Sequence, residues 1–170
     1  MLILSILLVA LFTGAAIWKL RALPESFSSL VGLFTGAWRW LWSLWLVAVD
    51  VLTLAPAIDV LDGRGLAFLA FLPMVMLLFV AAWPIFDREH YKWHNILGTV
   101  AGVMTQAIVA IVSPAWLTVW MAFLFLVGSL FVQPEGRLAK AVKGKAVFIA
   151  EAACYIALVG ALLCSPSCGT

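Results

Sequence analysis

The feature that most limits what this chain can become is a succession of long apolar runs broken by short polar stretches. Each run is near the roughly 20 residues that a helix needs to cross the hydrocarbon core of a bilayer. The predicted spans are Met1 to Trp18, Trp38 to Ala57, Leu66 to Phe86, His94 to Ser113, Ala115 to Val132 and Ala146 to Cys164. With a mean hydropathy of +1.16 and only 11% charged residues, the chain lacks the polar surface that a soluble globule requires. The expected fold is all-α: a polytopic integral membrane helix bundle of about six transmembrane helices plus an interfacial helix, a single transmembrane domain over residues 1–170.

The breaks carry the local detail. No basic residue precedes the first apolar run, and Lys19 and Arg21 follow it, so it reads as a retained span rather than a cleaved signal. In LPESFSSLVGLFTGA, residues 23–37, Pro24 and the serines at 26, 28 and 29 predict an interfacial helix or a re-entrant segment. The alternative is that the second span starts there. That would sink Arg39 to mid-bilayer, at a cost of a few kcal/mol on insertion scales. WRWLWSLW, residues 38–45, holds four tryptophans in eight residues, the composition of an interfacial aromatic belt. IDVLDGRG, residues 58–65, reads as a polar turn broken by Gly63 and Gly65. Pro73 predicts a kink in the third span and Pro84 its end. Gly98, Ala101, Gly102 and Thr105 give the fourth span a small-residue face for close packing, within the bundle or in a homo-oligomer.

Orientation follows from the cations. Every Lys and Arg except Arg64 lies in 19–39, 87–92 or 134–145, and a six-span chain puts these three segments on one side. The positive-inside rule places them in the cytoplasm, giving a multi-pass cell-membrane protein with N-terminus and C-terminus outside. A formal charge of +2, with its cations at segment ends, offers no nucleic-acid surface. Three cysteines make no metal-binding CxxC pattern. Cys164 and Cys168, facing outward, are close enough in sequence to form a disulfide there.

Polar chemistry concentrates in FDREHYKWHNILG, residues 86–98, which holds both histidines. With a helix starting near Asp87, Asp87, His90 and His94 fall at i, i+3 and i+7 on one stripe. Two readings stay open. The stripe can bind a metal or a proton, or it is a hydrated helix start with Asp87 as N-cap. Zinc hydrolysis needs three protein ligands and an open water position; His90 and His94 supply two, and Asp87 is either the third or the group that orients them. Asp50, Gln106 and Glu151 are polar residues deep inside predicted spans. Such residues mark a path for an ion or substrate, as in a small channel or transporter, or pair across helices. No phosphate-binding glycine loop or CxxCH haem motif occurs.

LPESFSS, the run LAFLAFLPMVMLLFVAAWPIFD, and HYKWHNILGTVAG together resemble small six-span membrane proteins of gut anaerobic bacteria and their phages. More remotely, the pattern is similar to Frag/DRAM/Sfk-type proteins and to the ceramidase and progestin-receptor (CREST) superfamily. The likeness covers residues 23–110. The CREST resemblance implies a zinc site at one membrane face that cleaves lipid amides, with Ser26 or Ser28 as the serine, Asp87 as the aspartate, and His90 and His94 as the HxxxH pair. This chain differs in having no third histidine and one predicted span fewer. The expectation taken forward is a protein that binds membrane lipid, or a membrane-protein partner, through an inner-face polar cluster of Glu25, Ser26, Ser28, Asp87, His90, His94 and Glu151. A CREST-like zinc-dependent hydrolase is the alternative.

Overall fold

The computed structural model describes residues 1–82, 91–132 and 144–165. Over these residues the chain is all helical. The helices are α1 (Leu2–Leu20), α2 (Trp40–Asp62), α3 (Phe71–Ala82), α4 (Tyr91–Val112), α5 (Pro114–Val132) and α6 (Ala146–Leu163), with short 3-10 helices at Ser28–Leu33, Gly36–Arg39 and Ala67–Ala70. Among the described residues, four stretches are long and apolar enough to cross a membrane: Leu2–Leu20, Gly36–Asp62, Trp93–Val112 and Ala146–Leu163. Ala67–Ala82 and Pro114–Phe125 are apolar but shorter.

The helices run up and down, as two cores that collect opposite ends of the helices show. One joins Leu2 at the start of α1 to Leu61, Val109 and Leu162 near the ends of α2, α4 and α6. The other joins Ala16, near the end of α1, to Trp42 and Trp45 in the first turns of α2, and Val80 near the end of α3. α4 is central, packing on α3, α5 and α6, while α1 lies against α2. Between 17% and 39% of each long span is buried within the chain. Large apolar side chains such as Ile3, Leu11, Phe125 and Ile156 point outward. An exterior of this kind is stable against lipid and costly against water.

Several boundaries differ from the sequence expectation, each for a local reason. The second helix does not stop at Ala57 but continues through Pro56 to Asp62. Ala57, Val60 and Leu61 are buried in the first core, and their contacts hold the last turns in place although an interior proline costs about 3 kcal/mol. The expected polar turn is thereby reduced to residues 63–65. Pro73 does not sit mid-helix. It lies in the first turn of α3, just after the 3-10 turn Ala67–Ala70, where a missing N–H interrupts little. Pro114 likewise opens α5. The tryptophan-rich run divides in two: Trp38 and Trp40 are exposed, whereas Trp42 and Trp45 are buried. Trp42, Trp45 and Val49 follow helical spacing on the inward face of α2.

Tight packing has its clearest instance between α5 and α6. A Cβ built on Gly160 would lie 2.5 Å from the Trp116 ring, so only glycine lets that ring seat against α6. Two buried threonine hydroxyls bond back to their own helices, Thr53 to the Val49 and Asp50 carbonyls and Thr105 to the Ala101 carbonyl at 2.8 Å. This satisfies them where no water is at hand. Arg64 donates to the Ile111 and Val112 carbonyls, closing the C-terminal end of α4 where carbonyls lack helical partners. Cys164 is an exposed free thiol; Cys168 lies outside the described residues.

Candidate functional site

Pro24, three serines and two glycines keep residues 24–39 from forming a continuous helix. Gly36 sits at φ +55°, a backbone conformation that L side chains rarely adopt. In place of an interfacial α-helix there are two 3-10 turns. The first tucks inward: Leu30 is fully buried and Val31 nearly so. Ser26 and Ser29 lock its start reciprocally. The Ser29 amide donates to Ser26 Oγ at 3.0 Å and the Ser26 amide to Ser29 Oγ at 3.1 Å, the logic of a capping box carried out by two serines.

Three helices hold this segment by its backbone and one serine. The Phe27 amide donates to Glu151 Oε2 on α6 at 2.7 Å, and the Phe27 carbonyl accepts from the Trp42 indole on α2 at 2.9 Å. Ser28 Oγ lies 2.6 Å from His94 Nε2 on α4. The Phe148 amide, in the first turn of α6 where helical partners are missing, donates to the Glu25 carbonyl at 3.0 Å. The Phe27 ring fills the space between them, edge-on to Phe148 at 4.9 Å and tilted against Trp45 at 5.7 Å. A backbone turned into a membrane bundle must have its polar groups satisfied by protein, and here side chains from α2 and α6 satisfy both groups of Phe27.

The placement of the candidate residues follows from this. Of the two serines, Ser28 meets His94, while Ser26 is committed to Ser29. His94 is 4% exposed, its ring 6.2 Å from the Trp42 ring. Asp87 and His90 lie outside the described residues. Glu151 accepts from the Phe27 amide instead of standing free in the span. Gln106 ties α4 to α6, donating to the Cys154 carbonyl at 3.2 Å and contacting its Sγ at 2.8 Å. Asp50 is buried on α2, and its Oδ2 has no hydrogen-bond partner among the described residues.

What the arrangement can do chemically is set by the short Ser28–His94 contact. An imidazole at that distance either accepts the hydroxyl proton or donates to the hydroxyl oxygen, according to its tautomer. Its Nε2 is thereby occupied, so a metal held by His94 would use Nδ1 or displace Ser28. Among the described residues no three His, Cys, Asp or Glu side chains gather as a metal site would require.

Sequence reasoning missed the two captures of the Phe27 backbone. Trp42 had a weak signal, since it opens the buried stripe Trp42, Trp45, Val49; Phe27 had none, because any residue offers the same amide and carbonyl. Comparison with protein-family models, with curated proteins and with solved structures finds no match.

Proposed function

We propose that this chain is a six-span integral membrane protein, both termini outside, that binds a membrane lipid at the bundle end built around residues 24–39 and does not transform it. Alternating helix direction and the apolar exterior support six crossings, with α5 running on to Val132 past its shorter apolar stretch. The observation that carries the lipid reading is the girdle beside the docked segment. Trp18, Trp38 and Trp40 are exposed, Lys19 and Arg21 are exposed and Arg39 is half-buried next to them. Amphipathic rings and cations at one level are what headgroup depth selects. The locked segment between them presents this girdle in a fixed shape.

The test is lipid retention. Protein purified in mild detergent should carry phospholipid near one molecule per chain, and Glu151→Leu, which frees the Phe27 amide, should lower it several-fold. Phospholipid no higher than in protein-free micelles would remove the reading.

One observation favours a second reading, a CREST-like zinc-dependent lipid amide hydrolase: Ser28 and His94, a serine and a histidine which that resemblance assigns to such a site, are in contact. Zinc at one per chain in the wild type, absent from a His90→Ala, His94→Ala double variant, would favour it. Protein from zinc-supplemented cells that holds no zinc would end it.

A further inference from the structure

Docking of residues 24–39 leaves a groove between that segment, α1 and α2. Its volume is about 440 Å³, within the usual range of small-ligand clefts. Phe12, Ala16, Leu33, Phe34 and Trp45 make its walls, and Lys19 is its one charged lining residue. Three of the walls belong to one aromatic stack. Phe12 stacks on Trp45 at 4.5 Å and 15° and on Phe34 at 5.9 Å and 22°, so the edges of three rings line the groove as a continuous apolar face. Ala15, at the rim, is exposed, so the groove opens sideways, toward the hydrocarbon.

Charge and depth select the occupant. Lys19 ends the groove one position from the exposed Trp18 and two from Arg21, whose guanidinium lies 5.8 Å from the Trp18 ring, so the polar mouth coincides with the headgroup girdle. One of the three ammonium donors of Lys19 goes to the Leu33 carbonyl at 3.3 Å, which steers the side chain across the mouth, and a lysine ammonium has two donors beyond it. An apolar slot running into the bilayer beneath a cation fits one acyl chain below a phosphate. We infer that this groove binds an anionic phospholipid of the surrounding bilayer, its acyl chain along the Phe34–Phe12–Trp45 face and its phosphate at Lys19. The inference rests on the lipid-binding reading above and adds the site and the headgroup class.

The experiment is native mass spectrometry of the whole protein in detergent, titrated with phosphatidylglycerol or with phosphatidylcholine of the same acyl chains. The wild type should hold one phosphatidylglycerol about ten-fold more tightly than phosphatidylcholine, as expected where one or two cations face a net anionic headgroup rather than a zwitterion whose ammonium offsets the phosphate. Lys19→Glu, an exposed change that leaves the core alone, should abolish the preference, with phosphatidylglycerol losing far more affinity than phosphatidylcholine. Ala15→Leu, at the rim, should weaken both lipids, and Arg64→Gln, at the other end of the bundle, neither. Equal binding of the two lipids by the wild type, or a preference that survives Lys19→Glu, would overturn the groove assignment while leaving a lipid-binding protein. Retention of neither lipid would overturn both.

Discussion

The two ends of the bundle are assembled by different physics. At the end that gathers Leu2, Leu61, Val109 and Leu162, helices meet through aliphatic and small side chains, and a glycine admits Trp116. At the other end the helices are joined by a non-helical segment whose backbone is captured by Glu151 and Trp42 and whose serine meets His94. The first end can be altered one methyl at a time, losing contacts in proportion to the atoms removed. The second is a set of mutually dependent polar contacts, in which removing one partner strands another without water to replace it. The contrast also bears on the proposed function. An aliphatic seam gives stability with little chemistry, whereas the captured segment lies beside the cations, exposed tryptophans and groove that carry the lipid-binding proposal.

The largest effect that would sharpen this contrast is expected from Trp42→Ala. It removes a fully buried indole and one of the two donors to the Phe27 carbonyl, leaving the Leu30 amide as the other, and should cost about 3–5 kcal/mol in thermal unfolding in detergent. Trp42→Phe keeps most of the ring and loses the N–H, so about 1–2 kcal/mol of that loss should remain. A Phe variant as stable as wild type would show that the indole bond is incidental, and the two ends would no longer differ in kind.

At the aliphatic end, Gly160→Ala should cost about 1–3 kcal/mol through overpacking against Trp116, with lipid retention unchanged. Pairing it with Trp116→Leu, which gives the new methyl room, should recover part of the loss. Loss of lipid preference in Gly160→Ala would break the comparison, because it would couple ends described here as independent. The smallest effect belongs to Arg64→Ala, which uncaps α4. About 0.3–1 kcal/mol is expected for a cation at an exposed helix terminus, read as a small shift in the same melting curve.

How much of this the sequence discloses depends on which kind of contact is involved. Long apolar runs announce α1, α2, α4 and α6 because hydropathy sums over a whole span and tolerates local exceptions. The order of the runs also predicts that residues 24–39 and His94 share an end, since helices joined by short breaks alternate in direction. The extension of α2 past Ala57 was illegible. IDVLDGRG reads as a turn from its composition alone, and the burial of Val60 and Leu61 that keeps it helical to Asp62 is tertiary. The split of the tryptophan run was half legible, as Trp42 and Trp45 obey helical spacing while belt composition alone cannot say which rings face inward. The capture of Phe27 was not legible at all, because the backbone is the same at every position and only the fold decides which amide meets Glu151.

Amide hydrogen exchange reads the capture of Phe27 residue by residue. In protein reconstituted in nanodiscs, the amides of Phe27, Ser29 and Leu30, which donate to Glu151, Ser26 and the Phe27 carbonyl respectively, should exchange as slowly as those of the adjoining helix ends. Glu151→Leu should release them together, and Arg64→Ala should leave them protected. Exchange of these amides in the wild type at the rate of an unstructured loop would contradict the account.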